Sequence, residues 1–240
     1  MKRLSRHEVV KLVETTGDCR GFDLSGLDLS GLDLIAVDFR GSNLRGANMS
    51  KANMSRSLFD ETDLSGNDLG SSNFTGSSFK RANLGRSDLT FSTVTGADFS
   101  GANLRKADFT SAKLSGAVFK GADLAEANLQ MTDGAMACFA GANLSGVSLR
   151  GASMVGADFS EASLLGAMLH GTDMNAANLS SADMRKARLI ETTLVGADLK
   201  NADLRTALLT NPDMTRANQE GIRTGSILED FEKDDDPEKD

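Results

Sequence analysis

The sequence predicts an all-β solenoid, and three observations carry that expectation. Leu24, Leu29, Leu34, Phe39, Leu44 and Met49 open a series of apolar residues at every fifth position that keeps frame to Met214. Each of these centres is Leu, Phe, Met or Val except Gly134. A period of five is neither the 3.6 of a helix nor the 2 of a plain strand, so each unit must combine an extended piece with a turn. The flanks agree. A small residue stands two before the centre (Ala97, Ala102, Ala107), Asp or Asn one before it (Asp98, Asn103, Asp108), and often Gly two after it (Gly96, Gly101, Gly116). Asp, Asn and Gly suit the turn because they tolerate left-handed backbone angles and make short local hydrogen bonds. The third observation is a period of twenty: Phe39, Phe59, Phe79, Phe99, Phe119, Phe139 and Phe159. Four pentapeptides therefore complete one coil, and like residues stack above one another as in a cross-strand ladder.

The elements follow in chain order. A solenoid buries each coil only against its neighbours, so both ends need caps. Residues 1–17 are expected to form an N-terminal capping helix. Ser5 and Glu8 make a capping box, and Leu4 with Val9 has the spacing of a hydrophobic staple. Val9, Val10, Leu12 and Val13 give that helix an apolar side for the first coil, and Gly17 is its expected stop. The repeat is expected over 18–219. It fails where Pro212 takes a small-residue slot and Gln219 a centre. Residues 220–240 are expected to form a C-terminal cap and an acidic disordered tail. Ser226 and Glu229 repeat the capping-box pattern, and Ile227, Leu228 and Phe231 share a helical side that covers the last coil or meets a second subunit. From Glu229 to Asp240 eight acids face two lysines, a net of -6 out of -8 for the whole chain. Such a run is ordinarily a solvated end.

Composition narrows the class further. The chain has 240 residues, 12 Phe and 24 Gly, but no Trp and no Tyr, which is unusual for a conventional globular core of this size. Cys19 and Cys138 cannot make a disulfide framework and are expected to be free buried thiols in a reducing compartment. The first residues lack the apolar stretch of a signal peptide. No run approaches the ~18 apolar residues that would cross a membrane. A soluble, cytoplasmic protein is expected.

The tandem pattern A(D/N)LxG, running from residue 22 to about 216, resembles that of pentapeptide-repeat proteins. The resemblance implies a right-handed quadrilateral β-helix, with the centre and the small residue inward and the other three residues outward. About ten coils at ~4.8 Å each would make a rod of ~48 Å. It also implies a function to test. Some bacterial members, the quinolone-resistance proteins and related toxin-immunity proteins, engage DNA gyrase as mimics of DNA. This chain departs from the best-known quinolone-resistance branch in two ways: no loop is inserted between Phe22 and Arg216, and the body of the chain is close to neutral.

Motifs that suggest chemistry are absorbed by the repeat. Ser77-Ser78-Phe79-Lys80 matches the S-x-x-K nucleophile motif, but Ser77 falls in the small inward slot. Asn48, Asn73 and Asn143 begin glycosylation sequons that the repeat generates automatically. His7 and His170 are the only histidines, and no Cys/His spacing suits a metal. No catalytic residue, metal site or cofactor is expected, and the chain is not read as an enzyme.

What varies is the outward surface. On the Leu24 side Arg45, Arg86, Arg105, Lys106, Arg185, Lys186 and Arg205 meet a nearly equal number of acids. Outward apolar residues gather on the Leu29 and Leu34 sides of the C-terminal half: Met131, Met136, Val155, Met168, Ile190, Val195 and Leu208. Scattered singly, such exposed apolar residues are ordinary; as a contiguous patch they would mark a partner or dimer surface, and these seven are the candidate partner residues. Asp28, Asp68, Asp88 and Asp108 stack on the Leu29 side as the candidate DNA-mimic stripe. The expected function is a rigid binding or scaffold protein acting through protein–protein contacts; the alternative is a DNA mimic directed at gyrase. No direct nucleic-acid binding and no membrane contact are expected. A second copy, met through the C-terminal end, is a further candidate partner.

Overall fold

The computed structural model describes residues 1–225. The Ser226–Glu229 cap, the apolar side ending at Phe231 and the acidic run to Asp240 lie outside the described residues. From Asp18 onward each residue that precedes a centre bridges in parallel to the residue twenty further on: Asp23 to Asn43, Asp28 to Asn48, Asp33 to Asn53, Asp38 to Leu58. Four such columns of bridges wind the chain into a parallel β-helix. Most rungs are single bridges. Longer pieces appear only near the C-terminal end, where β1 (Arg188–Ile190) pairs with β3 (Leu208–Thr210) and β2 (Asp203–Leu204) with β4 (Arg223–Thr224), both in parallel.

The pentapeptide is explained by where its five N–H groups go, since each buried one needs a partner. In the unit around Leu24, the Leu24 N–H reaches the carbonyl of Asn43 in the next coil at 2.8 Å, and the Gly26 N–H reaches Arg45 at 3.0 Å. The Asp23 N–H goes to the preceding coil at Lys2, 2.9 Å. Leu27 closes a tight turn onto the Leu24 carbonyl at 3.2 Å. Only the Ser25 N–H has no backbone acceptor, and the Asp23 side chain takes it at 3.1 Å. The preference for Asp or Asn before the centre therefore comes from a side chain capping its own turn. The expected tolerance of left-handed angles is not the reason at that position. The left-handed residue is the one two after the centre, as in Gly26 (φ 66), Lys51 (φ 58) and Phe91 (φ 57).

The core is the stack of centres and small residues. The seven stacked phenylalanines are each 0% exposed. Their rings lie 4.7–5.0 Å apart and nearly parallel, for example Phe79–Phe99 at 4.7 Å and 3°. Phe74 and Phe109 meet this column edge-on. Ser and Thr in the small slot donate to carbonyls, as Ser57 Oγ does to Leu34 at 2.7 Å.

One gap expected in that core is closed. Gly134 lacks a side chain, but Met154 of the next coil fills the space: a Cβ on Gly134 would lie 2.5 Å from the Met154 sulfur. A larger side chain at 134 would have to displace Met154. A second correction concerns the thiols. Cys19 is fully buried in a centre slot, and burial pushes its pKa up to about 11, but Cys138 stands in an outward column and is only half-buried.

The N-terminal end is covered by α1 (Arg6–Thr15). Ser5 caps it, and Ser5 and Glu8 exchange both bonds of the capping box. The helix is inserted into a coil already begun, because Lys2–Leu4 form a rung against Asp23, and Leu4 occupies the Leu24 column. Val9 is fully buried, and Leu12 and Val13 pack against the same core. The chain leaves the helix at Gly17 (φ 65), whose N–H bonds Leu12, and rejoins the ladder at Asp18.

Candidate protein-interaction surface

The ladder uses up the backbone, so what the repeat presents to solvent is its outward side chains. The structure divides the seven apolar candidates. Met131 and Met136 border the side that carries Gly134 and are 66% and 71% exposed, while Val155 follows one coil later at 37%. Each methionine lies over a glycine of the next coil: a Cβ on Gly151 would meet the Met131 sulfur at 2.7 Å, and one on Gly156 the Met136 sulfur at 2.7 Å. Met168, Ile190, Val195 and Leu208 are half-buried. Arg188 bridges both Met168 and Leu208, so a charge interrupts that column. Val195 stands two coils beyond Val155 with Asn175 between them.

Phe91 was missed by sequence reasoning and belongs with the exposed group. It is 66% exposed, at a left-handed position, in the same column as Met131 with Ser111 between. The signal was present, since Phe stands two after a centre, where this chain otherwise places Gly, charged, polar or small residues and methionine. A bulky residue with positive φ is costly, and here the ring gains no core contact in return. Ile35 is 37% exposed near the other end.

The acidic stripe is also divided. Asp28 pairs with Arg6 of α1 at 3.5 Å. Asp68, Asp88 and Asp108 bridge one another in register, and each accepts its own turn N–H, from Gly70 at 3.0 Å, Thr90 at 2.8 Å and Thr110 at 2.9 Å. None of these three makes an ion pair among the described residues. Some charges elsewhere are paired: Lys106 with Glu126 at 3.1 Å, Arg105 with Asp123 at 3.2 Å. Asp60 accepts from Lys80 N–H at 3.0 Å, and Glu61 pairs with Arg81. Near the C-terminal end Asp203 is contacted by Arg205 (2.8 Å), Arg223 (3.4 Å) and Arg185 (3.9 Å). The Arg205 hydrogen bonds foremost bring its pKa down to about 2.

The tempting chemical motifs are spent on structure. Ser77 is buried, and its hydroxyl donates to the Met54 carbonyl at 2.7 Å, while Lys80 pairs outside with Asp98 at 3.2 Å. Asn73 donates to Asn53 and Asn143 to Asp123, one coil before each. Asn48 accepts the Ser50 N–H. Among the described residues no group of three or more His, Cys, Asp or Glu is placed to hold a metal, and no helix is long and apolar enough to cross a membrane.

Known proteins bear on this arrangement. The chain matches the family of pentapeptide repeats in eight copies, over residues 23–133 and 137–211. The break falls at Gly134–Met136, where a centre is Gly. No curated protein matches the chain. Among solved structures it is similar to HetL, a pentapeptide repeat protein involved in heterocyst differentiation regulation from the cyanobacterium Nostoc sp. strain PCC 7120. That likeness has 26% identity and a TM-score of 0.62, and covers 91% of this chain and 96% of HetL. QnrB1, a plasmid-mediated fluoroquinolone resistance protein, is 15% identical with a TM-score of 0.32, covering 94% of this chain and 90% of its own, and that likeness carries no argument beyond the shared repeat. With matches across most of its length and a ladder that repeats every twenty residues, the chain belongs to the pentapeptide-repeat family, whose members form right-handed β-helices.

Proposed function

We propose that this protein is a rigid, non-enzymatic binding rod of quadrilateral section, about ten coils and ~48 Å long, that acts by holding a protein partner on its outward side chains. The observation that carries this reading is the exposed trio Phe91, Met131 and Met136 on neighbouring edges of the rod. The fold does not require them, because the same left-handed slot takes Ser71, Ser111 and Ser181 elsewhere. Exposed aromatic and methionine side chains are typical interface anchors. The regulatory role of HetL is in keeping with a protein that works by contact. The free thiols Cys19 and Cys138 support a reducing compartment such as the cytoplasm.

The test is affinity capture with wild type and with the triple variant Phe91→Ser, Met131→Ser, Met136→Ser. These are exposed positions, so folding stability should change by less than ~0.5 kcal/mol per site. Capture of the partner held by wild type should weaken at least ~tenfold, as loss of interface anchors does. Undiminished capture by the folded variant would place the partner elsewhere and overturn this reading.

The unpaired column Asp68, Asp88 and Asp108 favours a second reading, a mimic of DNA directed at gyrase. Charge weighs against it along the whole rod. Duplex DNA carries one negative charge per ~1.7 Å, so ~48 Å would need ~28. Residues 1–228 carry -2, the chain's -8 less the -6 of residues 229–240. Under the preferred reading wild type leaves gyrase supercoiling unchanged. Inhibition of supercoiling or relief of quinolone poisoning, reduced when the three Asp become Asn, would replace the preferred reading with the second.

A further inference from the structure

The N-terminal edge of the first coil is engaged on three of its four sides. On the Leu24 side Lys2–Leu4 add a rung. The Asp23 N–H donates to the Lys2 carbonyl at 2.9 Å, the Leu4 N–H donates to the Asp23 carbonyl at 3.1 Å, and the Arg3 guanidinium reaches the Ser25 carbonyl at 3.3 Å. On the Leu29 side the Arg6 guanidinium covers the carbonyls of Asp28 and Ser30. On the Phe39 side the Asp38 N–H donates to the Gly17 carbonyl and the Cys19 N–H to the Asp38 carbonyl, both at 2.9 Å. The Leu34 side is left open, because the residues that would have formed its rung are in α1. Neither the Asp33 N–H nor the carbonyls of Asp33 and Ile35 have a hydrogen-bond partner among the described residues. An unpaired strand edge is a template for another extended segment.

A cleft of about 320 Å³ lies beside this edge, lined by Val10, Val13, Glu14, Leu32, Asp33 and Leu34. Its apolar walls come from one side of α1 and from Leu32, a bulky residue in a slot that is usually small. Its charge is one-sided. Glu14 and Asp33 line it, no basic residue does, and neither carboxylate makes an ion pair among the described residues. Asp33 is also turned from the usual task of its slot. Asp23, Asp28 and Asp38 each accept the N–H two residues on. Asp33 instead accepts from the Asn53 amide at 3.2 Å and leaves the Ile35 N–H unbonded. Ile35 itself is 37% exposed at the same edge.

We propose that the Leu34 edge of the first coil is a binding site for an extended segment of a partner protein in which a basic residue is followed by an apolar one. The chain's own Lys2–Leu4 shows how such a segment sits: Arg3 bridges Asp23 in parallel, and Leu4 is buried in the inward column at 4% exposure. In the same register on the Leu34 side, the residue before the basic one accepts the Asp33 N–H. The basic side chain lies outward against Asp33 and Glu14, which supply the opposite charge. The apolar residue donates its N–H to the Asp33 carbonyl and turns its side chain into the cleft. In this mode of recognition main-chain bonds supply affinity and the side-chain pocket supplies selectivity. The site is separate from the Phe91–Met131–Met136 surface and does not depend on it.

Amide hydrogen exchange on the full-length protein, read by NMR with and without a peptide, tests it. The probe is the acetylated and amidated peptide Gly-Lys-Arg-Leu-Ser-Gly, and the control carries Asp for its arginine and Ser for its leucine. In the free protein the Asp33 amide should exchange at least ~tenfold faster than the Asp38 amide, which is bonded to Gly17. The probe should slow Asp33 exchange at least ~threefold in a saturable way and shift the resonances of Val10, Val13 and Ile35; the control should do neither. The double variant Glu14→Gln, Asp33→Asn should bind the probe at least ~threefold more weakly, since it removes the opposing charge, with thermal unfolding unchanged. An Asp33 amide already as protected as Asp38 would mean that the edge is covered by another part of the chain or by a second copy, and would overturn the proposal. So would no saturable binding of the probe, equal binding of the control, resonance shifts confined to other parts of the rod, or undiminished binding by the folded double variant.

Discussion

At the scale of the residue, a position in this fold is defined by its distance from a centre, and most identities follow from that. Asp23 and its equivalents stand before a centre because one N–H per unit has no backbone acceptor. That the slot favours these residues was legible in the sequence; that the side chain acts as the cap, and that left-handed angles occur three residues later, needed the coordinates. Gly134 shows the limit of slot-by-slot reading. Its slot calls for a large side chain, and nothing in the local pattern says that Met154, twenty residues away, has taken the space. Gly134→Leu should now destabilise by about 1–3 kcal/mol, the usual cost of overpacking a filled core. Pairing it with Met154→Ala should recover most of the loss. Urea unfolding of the three variants checks this, and a neutral single variant would mean that Met154 repacks freely.

At the scale of the element, α1 and the last rungs make opposite use of polar groups. The helix start was fully legible, because a capping box is local: Ser5 and Glu8 are three residues apart, and their exchange needs no tertiary context. The rung formed by Lys2–Leu4 was not legible, since only contact with Asp23 makes it a rung. At the far end β2 holds Asp203 under three arginines drawn from three successive coils. Its folded pKa of about 2 lies below the ~3.9 of an unfolded Asp. The ion pairs therefore add stability above pH ~4, and that stability drains away as pH falls from ~4 to ~2. Asp203→Asn should cost at least ~1.5 kcal/mol at neutral pH, as for a lost hydrogen bond to a charged group. Wild type and variant should converge near pH 2. Urea midpoints across that range measure the gap, and a gap that stays constant with pH would remove Asp203 from the acid response.

At the scale of the whole molecule, the rod is one continuous column of core rather than a shell around a centre. The phenylalanine stack from Phe39 to Phe159 links seven coils by contacts between neighbours alone. Phe99→Ala removes a ring held at 4.7 Å on one side and 5.0 Å on the other, with Phe109 edge-on at 6.2 Å. The expected loss is about 3–5 kcal/mol, the range for truncating a packed core Phe. A denaturant melt that barely moves would show that the stack contributes little and that the ladder alone carries stability.

The sequence by itself determined the coil length, the inward and outward slots and the helical start. Each of these is set by a period or by neighbours in the chain, and a solenoid repeats one local solution along its length. Tertiary structure alone decided which of the stacked outward residues pair, cover one another or stay bare. It put Met131 and Met136 over glycines of the next coil, left Phe91 bare, neutralised Asp28 with a helix residue, and gathered Arg185, Arg205 and Arg223 on Asp203. Those outcomes depend on how long side chains of different coils settle against one another, and a twenty-residue period states only that they can meet.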